Sequence, residues 1–298
     1  SVYEEFNRAQ DNDGRLVNYA LMELLFPTHP NGQQTTLGKA EHLKNPSMKA
    51  IHKYFDDFYV PNNMAVILVG DLDYDKTIQL INDNFGKLKP KEIINKEKIV
   101  EIPLSKKVEI TVKSPAMPRL QLAWRTDSFG THEARMTEIC SQILCNNGEV
   151  GLVDINLNQK QKVLRAGAFS YAFKEYGYFS MIIIPKENQT LAESETLLLE
   201  QIQLLKDGNF PDWLLPAILN DMKMQRAKTW ETAEGLATTL YDDFIKDTSW
   251  EEELQEMEHF FKITKEEIIT FANEFFKENY AIVYKEQGEN EDLIRVEN

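Results

Sequence analysis

The sequence predicts an α+β fold, with helices packed on one face of a mainly antiparallel sheet. Pairs of strand-type segments alternate with groups of amphipathic helices along the chain, an order that is typical of this fold class. Hydrophobic residues make up 42% of the 298 residues, which is enough for ordinary globular cores. At this length we expect about two domains.

The first part of the chain reads as helix, loop and helix. Apolar residues at helical spacing run through 2–25, and polar or flexible residues at 11–14 interrupt that stripe. Residues 27–38 are rich in Pro and Gly, which predicts a loop. A second helix begins after Asn45 or Ser47, either of which is a suitable cap, and ends before the next proline.

A predicted strand and helix complete the first domain. Residues 64–69 form a short run with Val and Ile, the pattern of a strand buried on both faces. A helix follows and ends at Phe85. The Lys-rich stretch 87–106 contains two prolines and is interpreted as an interdomain linker. We therefore assign residues 1–95 to the first domain and residues 96–298 to the second.

The second domain holds the larger set of predicted elements. In chain order they are strands at 108–112 and 120–125, helices at 131–146 and 151–162, a hairpin of 166–174 and 178–184 that turns at Tyr176-Gly177, helices at 191–206, 211–229, 233–247, 250–259 and 264–277, and a strand at 280–285. An internal similarity supports two related units: residues 47–69 and 264–284 each contain an amphipathic helix, an aromatic cluster, an Asn and a short strand.

Charge and hydropathy exclude several functions. The net charge of −15 and the pI near 4.9 argue against binding to nucleic acid or to an anionic membrane surface, because both need clustered Lys and Arg. No apolar stretch approaches the roughly 20 residues that span a bilayer. We expect no nucleic-acid partner and no transmembrane segment.

Two residue types that often mark sites are interpreted as structural. Cys140 and Cys145 lie five residues apart on a predicted helix and point to different faces, so a disulfide between them is not expected. Two thiolates are also too few for a structural zinc site. His29 precedes a proline and has no second ligand at suitable spacing, which favours a packing role.

One carboxylate in the first helix is unusual in its position. At helical spacing Glu5 shares a face with Val2, Phe6 and Ala9. A carboxylate among apolar neighbours is costly unless a metal ion or an Arg pairs with it. Alternatively, Glu5 lies at the edge of the stripe and its carboxylate reaches water. The helix alone leaves both interpretations open.

Four segments in a fixed order carry a family resemblance. They are Val2-Tyr3-Glu4-Glu5, Leu25-Phe26-Pro27-Thr28-His29-Pro30-Asn31-Gly32, Leu37-Gly38-Lys39-Ala40-Glu41-His42-Leu43 and Phe58–Leu72. Together they resemble the pitrilysin/insulinase family of zinc metallopeptidases. The resemblance implies homologous α/β domains that enclose a chamber. It also implies a zinc site with two His and a catalytic Glu from an inverted His-x-x-Glu-His motif, completed by a Glu on a later helix.

By its place in the Val-x-x-Glu segment, Glu5 is similar to that last zinc ligand, and Glu4 is its neighbour. The chain departs from the family because none of its five His stands in a His-x-x-Glu-His arrangement. Since the chain begins inside a helix without Met, we expect the motif in preceding sequence of a longer protein. The alternative is a family member that lacks the motif. No catalytic residue is assigned within this chain.

The resemblance implies part of a zinc metalloendopeptidase that hydrolyses peptides or unfolded polypeptides in an enclosed chamber, with Glu5 as the third zinc ligand. Zinc is expected in the full-length protein, but not stoichiometrically at Glu5 in this chain, which alone should be inactive. The expected partners are a peptide substrate and further peptidase-like domains, in the same chain or in a partner subunit; a homodimer of the chain is also expected. The alternative is a non-catalytic homologue that serves as a partner or scaffold subunit. The sequence identifies neither the substrate-binding strand nor the compartment.

Overall fold

The structure is a computed structural model that describes residues 2–93 and 97–290. The described residues form two compact units. The first unit comprises the described residues of Ser1–Ala40, Ile99–Asp221 and Glu256–Asn298, and the second comprises those of Glu41–Lys98 and Met222–Gln255. Among the described residues, every helix is too short or too polar to span a bilayer.

Helices dominate the described chain, and one sheet of five strands lies in the first unit. The helices are α1 (Val2–Gln10), α2 (Asp13–Leu25), α3 (Pro30–Gln33), α4 (Ala40–Lys44), α5 (Met48–Phe58), α6 (Tyr74–Phe85), α7 (His132–Leu144), α8 (Leu191–Lys206), α9 (Leu214–Trp230), α10 (Ala233–Lys246), α11 (Trp250–Phe261) and α12 (Lys265–Phe275). The strands are β1 (Val108–Ser114), β2 (Arg119–Asp127), β3 (Arg165–Ala172), β4 (Tyr176–Ile184) and β5 (Ala281–Gln287). A 3₁₀ turn at Pro61–Asn63 and a π-helical segment at Asp154–Gln159 complete the set.

The sheet has the strand order β1-β5-β2-β4-β3. The edge strand β1 runs parallel to β5, whereas the remaining neighbours pair antiparallel. The last strand of the described residues, β5, therefore lies between β1 and β2, with Leu122 of β2 opposite both Ile282 and Met181. The predicted α+β class with a mainly antiparallel sheet is confirmed.

Both faces of the sheet are covered by helices. Alternation along β2 sends Trp124 towards the side of α7, α8 and α12, where its ring contacts Phe276 at a centroid distance of 5.0 Å. Ala123, the preceding residue of β2, points to the opposite face and packs with α2 in one buried cluster. The sequence predicts helices on one face only, and α2 forms an additional layer on the other face. This layer explains why nearly every residue of β2 is buried.

Capping residues fix several helix starts. Asn12 caps α2, its side-chain oxygen accepting the backbone N–H of Arg15 at 2.9 Å. The predicted interruption at 11–14 is therefore confirmed as a break between two helices. Of the two cap candidates for α5, Ser47 is the cap, because its hydroxyl accepts the N–H of Ala50. Thr190 and Thr264 start α8 and α12 with capping boxes.

The prediction of a strand at 64–69 is wrong. These residues lie outside any strand, and Met64, Val66 and Leu68 are about half exposed. The physical reason is pairing: an extended segment becomes a strand only beside another strand, and the described residues of the second unit contain none. In the first unit, the similar segment that forms β5 lies between β1 and β2 and is buried.

The hairpin turn is also placed differently from the prediction. Tyr176 and Gly177 already belong to β4, so the chain turns at 173–175. Gly177 is required by packing, because a Cβ there would lie 2.4 Å from the Thr126 hydroxyl oxygen and 2.6 Å from the Tyr171 carbonyl oxygen. The glycine that suggested a turn instead allows three strands to approach closely.

Candidate metal-ligand helix and its support

Glu5, the predicted zinc ligand, lies in the first turn of α1. The helix is attached through Phe6 and Ala9, which are buried, whereas Glu5 is exposed. Because Glu5 is exposed, its carboxylate needs no buried partner and is accessible from solvent. A carboxylate oxygen is a normal zinc ligand, so Glu5 fits one position of a zinc site. The described residues hold no group of three or more His, Cys, Asp and Glu that could bind a metal ion. Glu5 therefore belongs to no such group within this part of the chain.

A short hydrogen-bonded junction connects α1 to α2. The N–H of Asp11 bonds to the carbonyl of Arg8, and the N–H of Asn12 bonds to the carbonyl of Ala9, both at 3.3 Å. Asn12 then caps α2. With only Asp11 and Asn12 between the helices, the direction of α1 depends on how the start of α2 is held.

The apolar side of α2 holds this helix against the sheet. Its four buried positions recur at helical spacing and face apolar residues of β2, β4 and β5. The helix contributes Val17, Leu21, Met22 and Leu25, and the strands contribute Ala123, Tyr178, Ala281 and Val283. At about 25 cal/mol per Å² of buried apolar surface, these side chains supply several kcal/mol.

The loop after α2 contains one of the four segments that carried the family resemblance, and three of its residues have clear structural roles. Phe26 is fully buried, and the guanidinium of Arg125 lies over its ring at 5.4 Å. His29 caps α3, its Nδ1 accepting the N–H of Asn31 at 3.1 Å. Gly32 is needed because a Cβ would lie 2.2 Å from the carbonyl oxygen of Phe26. The interpretation of His29 as a packing residue agrees with its burial.

Buried charges tie this loop to the first unit. One oxygen of Glu101 accepts the backbone N–H groups of Thr28 at 2.8 Å and of His29 at 2.6 Å. Arg125 donates from Nε to the carbonyl of Leu25 at 2.8 Å, and its Nη2 lies 3.8 Å from Glu101. Burial lowers the pKa of the Arg125 guanidinium, and the Glu101 carboxylate opposes that shift. The loop and the end of α2 are therefore anchored by an ion pair as well as by apolar contacts.

Two further contacts complete the anchor. The Tyr176 hydroxyl accepts the N–H of Glu101 at 3.0 Å and donates to the carbonyl of Ile99 at 3.1 Å. His29 Nε2 lies 2.8 Å from a carboxylate oxygen of Glu175. Sequence reasoning missed Glu101, Arg125 and Glu175 in these roles. Glu101 lies between two strongly exposed residues of the predicted linker, so no periodic pattern could reveal that it is buried.

The two cysteines are free and take part in packing. Cys140 is fully buried, and burial raises the pKa of its thiol far above the usual range. The Cys145 thiol lies 3.1 Å from Asp154, whose other oxygen accepts the N–H groups of Asn146 and Gly151. Burial and the Asp154 carboxylate raise the pKa of Cys145 to about 12. Neither thiol is set up as a nucleophile.

Comparison with known proteins identifies the class to which this fold and loop belong. Residues 47–222 match the family model described as the peptidase M16 inactive domain, and this match covers more than half of the chain. The chain therefore belongs to the M16 peptidases, the pitrilysin/insulinase family, and the resemblance seen in the sequence is confirmed.

Individual relatives are zinc proteases of bacteria. The zinc protease PqqE of Helicobacter pylori is 19% identical over 255 residues, which are 83% of this chain and 56% of that protein. The probable zinc protease PqqL of Haemophilus influenzae is 27% identical over 143 residues, which are 46% of this chain and 15% of that protein. The matched part of the chain thus spans 56% of the length of the first relative and 15% of the length of the second.

Solved structures share the fold at low sequence identity. A protease from Helicobacter pylori has a TM-score of 0.87 at 18% identity, over 96% of this chain and 70% of that one. A peptidase M16 inactive domain from Pseudomonas fluorescens has a TM-score of 0.83 at 14% identity, over 97% and 69% of the two chains. Pitrilysin has a TM-score of 0.73 at 18% identity, over 96% of this chain and 32% of its own.

Proposed function

We propose that this chain is part of an M16 zinc metalloendopeptidase and that it supplies one zinc ligand, Glu5, together with a supporting domain. One observation carries the proposal: an exposed carboxylate stands on α1, immediately before an α2 and loop whose motif residues are buried and anchored. Such support is what a ligand needs if it is to be held in one place. The membership in a family that includes named zinc proteases supports the same assignment.

Zinc would supply a Lewis acid that activates water and polarises the scissile carbonyl. The contribution of this chain is positional. Glu5 offers a carboxylate oxygen, Phe6 and Ala9 attach its helix, and the loop of Phe26 and His29 fixes the far end of α2. The paired His and the general base of the inverted motif have no positions in this sequence.

We further propose that residues 1–95 and 96–298 derive from two homologous domains of a chamber that admits peptides or unfolded polypeptides. The similarity between 47–69 and 264–284 supports this division. The compact units cut across it, because α1 and α2 belong to the same unit as the sheet. Further peptidase-like domains, in the same chain or in a partner subunit, would complete the chamber.

The test is a pair of substitutions in the complete protein. Glu5→Gln should lower zinc content and peptide hydrolysis together, because it removes a charged ligand but keeps the shape. Glu4→Gln is the matched control, since Glu4 is also exposed in the first turn of α1. Metal analysis by mass spectrometry and a peptide cleavage assay measure both effects. Equal zinc content and activity in the Glu5→Gln variant and the wild type would remove Glu5 from the site.

A second candidate function is a non-catalytic homologue that acts as a partner or scaffold subunit. The observation in its favour is that the matched family model is the one described as the inactive domain. The sequence of the complete protein distinguishes the two candidates. A His-x-x-Glu-His motif before Glu5 supports the peptidase, and a complete protein without it, without zinc and without hydrolysis supports the scaffold. The 298-residue chain alone is expected to bind no stoichiometric zinc at Glu5.

A further inference from the structure

A buried lysine in the second half of β5 is not explained by the apolar core. The side chain of Lys285 is 1% exposed. Its ammonium donates to the carbonyl oxygens of Ala116 and of Met117, the latter at 2.8 Å, in the connection between β1 and β2. It also lies 3.7 Å from a carboxylate oxygen of Asp13. Burying an ammonium is costly unless it is paired, so these acceptors are what keep Lys285 in place.

Asp13, the partner of Lys285, is the first residue of α2. Its second carboxylate oxygen accepts a hydrogen bond from the Ser114 hydroxyl at the end of β1. The positive charge of Arg119, at the start of β2, acts on Asp13 as well. A carboxylate at a helix N-terminus is favourable in itself. The start of α2 is therefore held by three strands of the sheet at once.

This clamp lies at the base of the helix that carries Glu5. Asp13 is separated from α1 only by Asp11 and Asn12, whose N–H groups bond back to α1. Phe6 and Ala9, which are buried, also attach α1. A shift of the start of α2 would change the direction of α1 and move the Glu5 carboxylate, eight residues before Asp13.

We infer that Lys285 is a positioning residue: by holding Asp13, it fixes α1 and with it the Glu5 carboxylate. The inference rests on the proposed role of Glu5 as a zinc ligand. Lys285 does not touch the ligand itself. It acts through Asp13 and the junction at 11–12.

A suitable control variant disrupts a comparable polar cluster that does not contact α2. Glu195 of α8 provides it, because the hydroxyls of Tyr280 and Tyr284 donate to its two oxygens and Lys107 lies 3.3 Å away. Tyr280 immediately precedes β5 and Tyr284 lies in the middle of this strand, on the face that packs with α8. Glu195→Gln therefore perturbs the same strand from the opposite side of the sheet.

The first measurement uses the 298-residue chain and hydrogen exchange. In the Lys285→Met variant, the amides of α1 should exchange at least about tenfold faster than in the wild type, while those of β2 and β4 stay protected. Asp13→Asn keeps the Ser114 contact and the helix start, and should give a smaller change in the same direction. If Lys285→Met fails to fold, Asp13→Asn carries the test. Glu195→Gln should leave α1 unchanged.

The second measurement uses the complete zinc-loaded protein. Lys285→Met and Asp13→Asn should weaken zinc affinity by about tenfold in a chelator competition, the range seen when a support of a metal ligand is removed. The visible spectrum of the cobalt-substituted protein should change as well, because it reports ligand geometry. Glu195→Gln should change neither quantity.

The outcomes separate this inference from the proposed function. If Glu5→Gln leaves zinc affinity unchanged, Glu5 is not a ligand, and both proposals fail. If Glu5→Gln weakens zinc affinity while Lys285→Met and Asp13→Asn behave like Glu195→Gln, only the positioning role of Lys285 is overturned. Faster exchange in α1 together with weaker zinc affinity in both variants supports it.

Discussion

At the scale of single residues, Asp243 of the second unit is a buried carboxylate with one unpaired oxygen in the part of the chain that the structure describes. The residue is 6% exposed, and its Oδ2 has no hydrogen-bond partner among the described residues. The nearby guanidinium of Arg226 is instead paired with Glu253 at 2.6 Å and lies over the ring of Trp230. Burial, reinforced by the Glu253 charge, raises the pKa of Asp243 to about 6 against the opposing charges of Lys246 and Arg226.

The raised pKa makes the stability of the chain depend on pH. Because the folded state binds the proton of Asp243 more tightly than the unfolded state, the stabilisation is complete below the ordinary pKa of 3.8 and is lost as the pH rises through about 6. Asp243→Asn should therefore raise the free energy of unfolding at pH 7 by about 2 kcal/mol and leave it unchanged at pH 4. Denaturant unfolding at both pH values measures this difference. Glu234→Gln, at an exposed position in the first turn of the same helix α10, is the control. An equal gain at both pH values would contradict the assignment.

At the scale of elements, the loop after α2 depends on one buried carboxylate. Glu101→Ala removes the acceptor of the Thr28 and His29 N–H groups and leaves Arg125 without its ion-pair partner. We expect a loss of about 2–4 kcal/mol, because unpaired buried groups cost more than the contact itself contributes. Denaturant unfolding gives the loss, and hydrogen exchange should show it first at 26–33. Glu97→Ala, an exposed position in the same segment, should change neither, and a uniform increase across the sheet would argue against a local anchor.

Local sequence patterns predict some features of this structure but not the long-range contacts. Helix bounds follow from local signals, and α8 has the predicted ends because its cap and apolar periodicity lie within it. The segment 64–69 has strand-type residues but no neighbouring strand, and pairing is not a local property. Glu5 could be singled out by its position in a motif. Its support could not, because Asp13 and Lys285 meet across almost the whole chain and Glu101 acts within an irregular segment.

At the scale of the whole molecule, apolar exposure is uneven. Across α5, 64–69 and α6 many large hydrophobic side chains are about half exposed, although α5 has a clear apolar side. Folded monomers rarely expose apolar patches of this extent. The similar helix and strand in the first unit, α12 and β5, bury the corresponding residues. The apolar pattern of residues 48–85 is therefore typical of a surface that is covered by another part of a protein.

This exposure predicts that the 298-residue chain self-associates, in spite of its net charge of −15. Charge repulsion between copies is screened over about 8 Å at physiological ionic strength, whereas burial of apolar surface is not. Light scattering across a wide concentration range should show a mass that rises above that of one chain. The double variant Phe55→Lys, Val66→Lys should remain monomeric, because it places charges in α5 and in the segment 64–69. Val100→Lys is the control, since Val100 is 76% exposed in a different segment. A wild-type chain that stays monomeric throughout would contradict the prediction, and association that persists in the double variant would place the contact elsewhere.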